Sequence, residues 1–227
     1  MKRPIIAIDG PAGAGKSSVA KAVAEKLNYI YVDTGAMYRA IAWKILETNT
    51  SISDIGKVSC LVNNIKLKFE KINNEQKIFV DNIDVTQAIR TPEVTRLSSP
   101  VSAIQAVRKR LTEIQRSFGS DGGIVMEGRD IGTVIFPDAE LKIFLTASAE
   151  ERAKRRTEQL KAMGQFADVN QIEAEIRERD LLDSSRQNAP LIQAKDAILI
   201  DTDRLTEEEV VQKIIELHNK IINKNDI

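Results

Sequence analysis

Hydrophobic positions along the chain alternate between short continuous runs and longer stretches with a helical repeat. Five runs, at 4–9, 28–33, 123–127, 141–146 and 197–201, read as buried strands of a parallel sheet. Between them the pattern is helical. Residues 17–27 are rich in helix formers, and Met37, Tyr38, Ala40, Ile41 and Ile45 space out as one face of a helix starting near Ala36. Residues 48–65 read as a polar turn and a short helix. Thr91-Pro92-Glu93 opens a further helix, and Ser98-Ser99-Pro100 breaks it. A second helix then runs from about Val101 to Phe118, and 120–123 is loop. Ser148-Ala149-Glu150-Glu151 and Thr206-Glu207-Glu208-Glu209 each fit the capping box at a helix start. The first box leads into a helix carrying Arg152, Lys154, Arg155 and Arg156. A polar stretch to Asn170 follows, then a helix at about 171–182. Behind the second box, Val210, Ile214, Leu217 and Ile221 form the apolar face of a closing helix.

The region 67–85 has a different period. Leu67 to Glu70 alternates, Asn73-Asn74 signals a turn, 76–80 is strand-like, and Asp81-Asn82 turns again before Ile83-Asp84-Val85. This is a small antiparallel hairpin or meander with too few residues for its own core, so it is expected as an insertion on the main body.

The first run leads directly into Gly10-Pro11-Ala12-Gly13-Ala14-Gly15-Lys16-Ser17, which reads G-x-x-x-x-G-K-S. Strand, glycine loop and helix is the order a phosphate cradle needs. The glycines let backbone N–H groups turn inward, and the helix N-terminus adds partial positive charge. Lys16 is placed to reach the outer phosphates and the Ser17 hydroxyl to join a Mg²⁺ shell. The expected fold is therefore α/β, of the P-loop NTPase type. It has a parallel five-stranded sheet flanked by helices, a small antiparallel β insertion and a helical lid. The expected division is a core of 1–60, 89–150 and 190–227, an acceptor-binding insertion at about 61–88 and a lid at about 151–189.

Composition narrows the chemistry. In 227 residues, 33 Lys and Arg balance 33 Asp and Glu, so bulk charge gives no case for nucleic acid or a membrane. No apolar stretch approaches a membrane span, and the start is too short for a signal peptide. Cys60 is the only cysteine, which excludes an intramolecular disulfide and suits a reducing cytoplasm. His218 is the only histidine, on the closing helix, and reads as structural or exposed. A histidine zinc site and a Ser-His nucleophile are therefore not expected. With no heptad seam, a monomer is the default.

Phosphoryl transfer needs positioning and charge neutralisation. A phosphate monoester acceptor is already mostly ionised, its second pKa being about 6, and needs no base. It does need several cations in one place. Lys16, Arg39, Arg129, Arg179 and Arg186 can supply them. A nucleoside monophosphate kinase fits these residues better than a hydrolase, although Asp33 or Asp130 offers a base for an alcohol acceptor. Glu127-Gly128-Arg129-Asp130 follows a strand, so it is expected on the same sheet edge as the glycine loop. The arginine-rich 150–190 segment reads as a mobile lid over transferring phosphates rather than a solvated hairpin. Asn223-Lys224-Asn225-Asp226 spells N-K-x-D, but it lies in the polar tail after a helix and is assigned to chance.

Three stretches are more specific than the glycine loop. They are the run from Ile8 to Ser17, the run Asp33-Thr34-Gly35-Ala36-Met37-Tyr38-Arg39, and the run from Glu127 to Ala139. With Arg179-Asp180, Asp183 and Arg186, they closely resemble the bacterial cytidylate kinases over essentially the full length. The resemblance implies transfer of the γ-phosphoryl group of ATP to CMP or dCMP with Mg²⁺. It implies that Gly10, Pro11, Ala12, Gly13, Ala14, Gly15, Lys16, Ser17 and Ser18 bind ATP, joined by a lid arginine. Arg152, Arg155 and Arg156 compete for that contact, and Arg156 is taken. Arg39, Arg129 and Arg186 would hold the acceptor phosphate, Thr34, Arg108 and Asp130 the cytosine edge, and Ser99, Arg179 and Asp183 the sugar. Thr34 stands where some relatives carry serine, and Glu127 where some carry aspartate. A carboxylate can accept from the cytosine amino group, which uracil lacks, so CMP is expected over UMP. The rival readings are a shikimate-type or dephospho-coenzyme A-type kinase, and a slow nucleotide switch.

Overall fold

The computed structural model describes residues 3–73, 75–162, 164 and 166–225. The first apolar run is strand β1 (Arg3–Asp9), and the glycine loop turns it into helix α1 (Lys16–Leu27). Asn28 ends α1 in the left-handed region at φ 53°, its N–H capping the carbonyls of Ala24 and Glu25. Tyr29 N–H also returns to the Ala24 carbonyl at 2.8 Å. The cap consumes both residues, so strand β2 starts at Ile30 and ends at Asp33, later than the expected 28–33. Asp33 then caps α2 (Thr34–Glu47), its side chain accepting from Ala36 N.

The chain continues through α3 (Ile55–Asn64), β3 (Leu67–Ile72), β4 (Glu75–Val80), β5 (Ile83–Asp84), a 3₁₀ turn at Ala88–Arg90, α4 (Pro92–Ala103) and α5 (Gln105–Phe118). The expected break at Ser98–Pro100 is not there. Pro100 lies inside α4, and the chain breaks at Ile104, which is extended. Proline removes a donor from the helix. The hydroxyls of Ser98 and Ser102 donate to the carbonyls of Thr95 and Ser99 at 2.7 and 2.8 Å. Val94, Ser98, Val101 and Ser102 are buried on this helix, so packing carries it past the proline.

Next come β6 (Gly122–Gly128), a single π turn at Ile131–Ile135, β7 (Leu141–Thr146), α6 (Ala149–Ala162), α7 (Val169–Ser185), β8 (Ile198–Asp201) and α8 (Glu207–Asn225). α7 exceeds the expected 171–182 at both ends, with Asp168 as its N-cap. The second capping box forms in full and the first only in half, because Ser148 N donates to Asp203 Oδ1 at 2.8 Å rather than to Glu151. Ser148 Oγ accepts from Glu151 N at 3.2 Å. Thr206 and Glu209 bond reciprocally, Thr206 N to Glu209 Oε2 at 2.8 Å and Glu209 N to Thr206 Oγ1 at 3.3 Å. Asn74 of the expected 73–74 turn, Asp226 of the terminal tetrad and the first two residues lie outside the described residues. Asn223 to Asn225 continue α8, which separates them from any strand end.

The chain forms two compact units, 1–32 with 119–227, and 33–118. The first holds the five-stranded parallel sheet, in the order β2-β6-β1-β7-β8. α1 and α8 cover one face of it, with Val19, Ala20, Val23 and Ala24 meeting Val210, Val211 and Ile214 over Ile6, Ile8, Val125, Ile143 and Leu145. His218 is buried on α8 and shares a 2.8 Å hydrogen bond with the Tyr29 hydroxyl, so it is structural. α6 and α7 pair as a hairpin around a small cluster of Ala153, Ile172 and Ile176. In the second unit, α2 packs on α4 and α3 on α5. There β3, β4 and β5 form the expected antiparallel meander. Asp81 N donates to the Lys66 carbonyl at 2.9 Å and closes the base of its first hairpin. No described helix is long and apolar enough to cross a membrane.

Candidate active site

The glycine loop is closely packed at two of its glycines. At Gly10, φ is +146° and a Cβ would stand 2.0 Å from the Leu145 carbonyl oxygen of β7. At Gly13, φ is +79° and a Cβ would meet the Arg152 Cβ at 3.1 Å. Lys16, the first residue of α1, is buried, and its Nζ donates to the Pro11 carbonyl at 2.6 Å across the loop. Burial first, and the Arg129 charge second, lower its pKa to about 7. Ser17 and Ser18 are exposed at the helix start, and Ser18 Oγ donates to the Gly15 carbonyl at 3.1 Å.

β1 and β6 are parallel neighbours with Asp9 opposite Gly128, so the loops after them leave the sheet at one edge. Asp9 links the two loops. Its carboxylate accepts from Ile131 N at 2.8 Å and from Gly132 N at 2.7 Å, pinning the π turn directly behind Arg129 and Asp130. Burial pushes the Asp9 carboxyl up to about 6, against the two backbone donors and Lys16, which pull it down. Asp130 is buried beside this turn, and Glu127 is buried below it, accepting from the Tyr31 hydroxyl at 2.9 Å.

Arg129 Nε donates to Asp183 Oδ2 of α7 at 2.9 Å, and Arg186 Nη1 lies 3.8 Å from Asp183 Oδ1. Burial pushes the Asp183 carboxyl up. The charges of Arg129, Arg186 and Arg179 outweigh it and hold the group below its ordinary value. The structure thus brings Arg129, Asp183 and Arg186 together. On α6 the three candidate arginines separate. Arg152 is buried and forks onto Asp180 at 3.1 and 2.6 Å. Arg155 holds Glu151 and the Thr202 hydroxyl and carbonyl. Arg156 is exposed and donates to Gln159 Oε1 at 3.4 Å.

In the 33–118 unit, Arg39 Nη2 donates to Asp33 Oδ2 at 2.9 Å, reaching from α2 back to its N-cap six residues earlier. Thr34 is buried at the start of that helix. Arg108 is buried on α5, donating to the Ser102 carbonyl at 3.3 Å and lying over the Tyr38 ring at 5.7 Å. Ser99 lies on α4 and its carbonyl accepts from Ser102. From sequence, Asp9 has no assigned role, Arg152 is only a rival for the ATP contact, and Asp180 enters only with the family resemblance. The signal for Asp9 was available, because a carboxylate closing an otherwise apolar buried strand needs dedicated partners. The pairing of residues 152 and 180 leaves no local trace.

A parallel sheet whose central strand runs through this glycine loop into a helix, with arginines on the same edge, defines a P-loop kinase. The family model described as "Cytidylate kinase" matches residues 6–220. The cytidylate kinase of Caldicellulosiruptor bescii is 49% identical over 227 residues, covering all of both chains. The bifunctional pantoate ligase/cytidylate kinase of Synechococcus sp. (strain JA-3-3Ab) is 51% identical, covering 99% of this chain and 42% of that protein. The chain therefore spans less than half the length of this bifunctional relative. An uncharacterized protein from Eubacterium ventriosum shares the fold, with TM-score 0.53 at 15% identity over 96% of this chain and 99% of that one. The chain belongs to the cytidylate kinase family.

Proposed function

We propose that this chain transfers the γ-phosphoryl group of ATP to CMP or dCMP, giving ADP and CDP or dCDP. The observation that carries this reading is the register of β1 on β6. It sends the phosphate loop and Arg129-Asp130 off the same sheet edge, tied together by Asp9. Donor and acceptor groups then meet at one place, and the acceptor phosphate needs no base.

The backbone of 10–15, Lys16, Ser17 and Ser18 hold the ATP phosphates. Arg39, Arg129 and Arg186 neutralise the acceptor phosphate, so that two polyanions can approach. Thr34, Arg108 and Asp130 read the cytosine, and Ser99, Arg179 and Asp183 hold the sugar. Arg156 is the lid arginine that reaches ATP, because Arg152 and Arg155 are committed to other partners. No group of three His, Cys, Asp or Glu that could hold a metal occurs among the described residues. A lone serine hydroxyl suits Mg²⁺, a hard cation that keeps waters and takes its other ligands from substrate phosphates. Ser17 would hold it, and the ion would neutralise charge on the transferring phosphates. Residues 61–88 serve as the acceptor insertion and 151–189 as the lid that excludes water, on a core of 1–60, 89–150 and 190–227. The chain acts as a cytoplasmic monomer.

The test is ADP formation from Mg-ATP with CMP, dCMP, UMP, AMP, shikimate, dephospho-coenzyme A or no acceptor. Turnover is expected with CMP and dCMP, at least tenfold slower with UMP, and near background with no acceptor. Fast turnover with shikimate or dephospho-coenzyme A, or none that depends on an acceptor, would overturn the assignment.

A further inference from the structure

Two carboxylates of α7, Asp180 and Asp183, stand three residues apart and share a face of the helix. Each takes an arginine from a different part of the site. Asp183 accepts from Arg129, on the acceptor side, at 2.9 Å. Asp180 accepts from Arg152 in a fork, Oδ1 from Nη1 at 3.1 Å and Oδ2 from Nη2 at 2.6 Å. Arg152 reaches the donor side. Its Nη1 also donates to the Ala12 carbonyl in the phosphate loop at 3.0 Å, and its Cβ lies 3.1 Å from where a Gly13 Cβ would stand. Its Nε is fixed on the Ala147 carbonyl at 3.0 Å. The Arg152 side chain is 5% exposed, with every nitrogen engaged, so it cannot turn away without stranding a buried charge.

We infer that Arg152 and Asp180 are positioning residues that couple ATP binding to CMP binding. The inference rests on the proposed assignment of CMP to Arg179 and Asp183. Phosphates that order the loop backbone fix the Ala12 carbonyl. That carbonyl holds Arg152, and Arg152 holds Asp180. Asp180 sits next to Arg179 and one turn before Asp183, so the segment of α7 that grips the sugar is ordered by the first ligand. The second ligand then meets an already ordered helix and binds more tightly. By linkage, CMP tightens ATP by the same factor.

The experiment measures CMP binding calorimetrically to the full chain, without and with saturating Mg²⁺ and the non-hydrolysable analogue AMP-PNP. The ratio of the two dissociation constants is the coupling factor, measured at a temperature where each variant is fully folded without nucleotide. The wild-type factor is expected to be about fivefold or more. Asp180→Asn, which keeps the shape and loses the charge, is expected to bring it within about twofold of unity. Arg152→Lys, which keeps the charge and loses the fork, is expected to do the same. Arg177→Gln removes only an exposed pair with Glu173 on the same helix and is expected to keep the wild-type factor. A wild-type factor near one overturns the coupling. So does full coupling in both Asp180→Asn and Arg152→Lys, or its loss in Arg177→Gln. Wild-type protein that binds no CMP overturns instead the assignment on which the inference rests.

Discussion

Lys16 shows how burial prepares a residue for its ligand. Without phosphates its ammonium faces the Pro11 carbonyl in a buried site that also feels Arg129, and its pKa falls to about 7. A triphosphate placed beside it favours the charged form and moves the pKa back up. At pH 8 roughly nine-tenths of free Lys16 is neutral, so binding takes up close to one proton. At pH 6 it is already charged and uptake falls toward zero. The check is the binding enthalpy of Mg-AMP-PNP in buffers of different ionisation enthalpy. The slope against that enthalpy is expected near one proton at pH 8 and much smaller at pH 6. A flat plot at pH 8 would mean that Lys16 is already protonated in the free protein. The lysine itself was legible in the sequence, because the glycine loop fixes its position. Its lowered pKa was not, since that depends first on burial and then on Arg129, more than 100 residues away.

At the scale of elements, legibility followed locality. Strands β1 and β7 and the capping box at Thr206 were readable because their signals lie within a few residues of the structure they produce; at Ser148 a distant carboxylate, Asp203, took the place of Glu151. The stop of α4 was misplaced because the cost of Pro100 was weighed without the buried face of that helix and its two serine back-bonds. α7 was placed too short because its polar ends carry little periodicity. The α6–α7 hairpin rests on a small apolar cluster of Ala153, Ile172 and Ile176, bordered by Ala149, Leu160 and Ala167. Such a unit should open locally, well below the free energy of global unfolding. Ile176→Ala removes most of one side of that cluster. Hydrogen exchange of amides in α6 and α7 is expected to speed up about tenfold or more, a loss of at least about 1.4 kcal/mol in local opening. Amides of β1, β6 and β7 should keep their protection. Acceleration spread evenly over the sheet would mean that the hairpin unfolds only with the whole chain.

The whole molecule divides its proposed base readers between two units, with Thr34 and Arg108 in 33–118 and Asp130 in the other. The family resemblance named all three, but it does not establish that they act on one base. Energetic coupling can. A carboxylate at Asp130 accepts from the cytosine amino group, whereas Asp130→Asn can donate to the carbonyl that uracil carries there. That variant is therefore expected to lower the CMP/UMP ratio of kcat/KM by about tenfold or more, with little change in the KM for ATP. Arg108→Met should lower CMP turnover by removing a donor to O2 and N3. If both side chains grip the same ring, loss of either lets the base shift and weakens the other contact. The double variant then loses less than the two single losses combined, with an interaction energy of about 0.5–3 kcal/mol. Strict additivity would mean that Arg108 and Asp130 do not read a common base, and would leave the cytosine assignment resting on Asp130 alone.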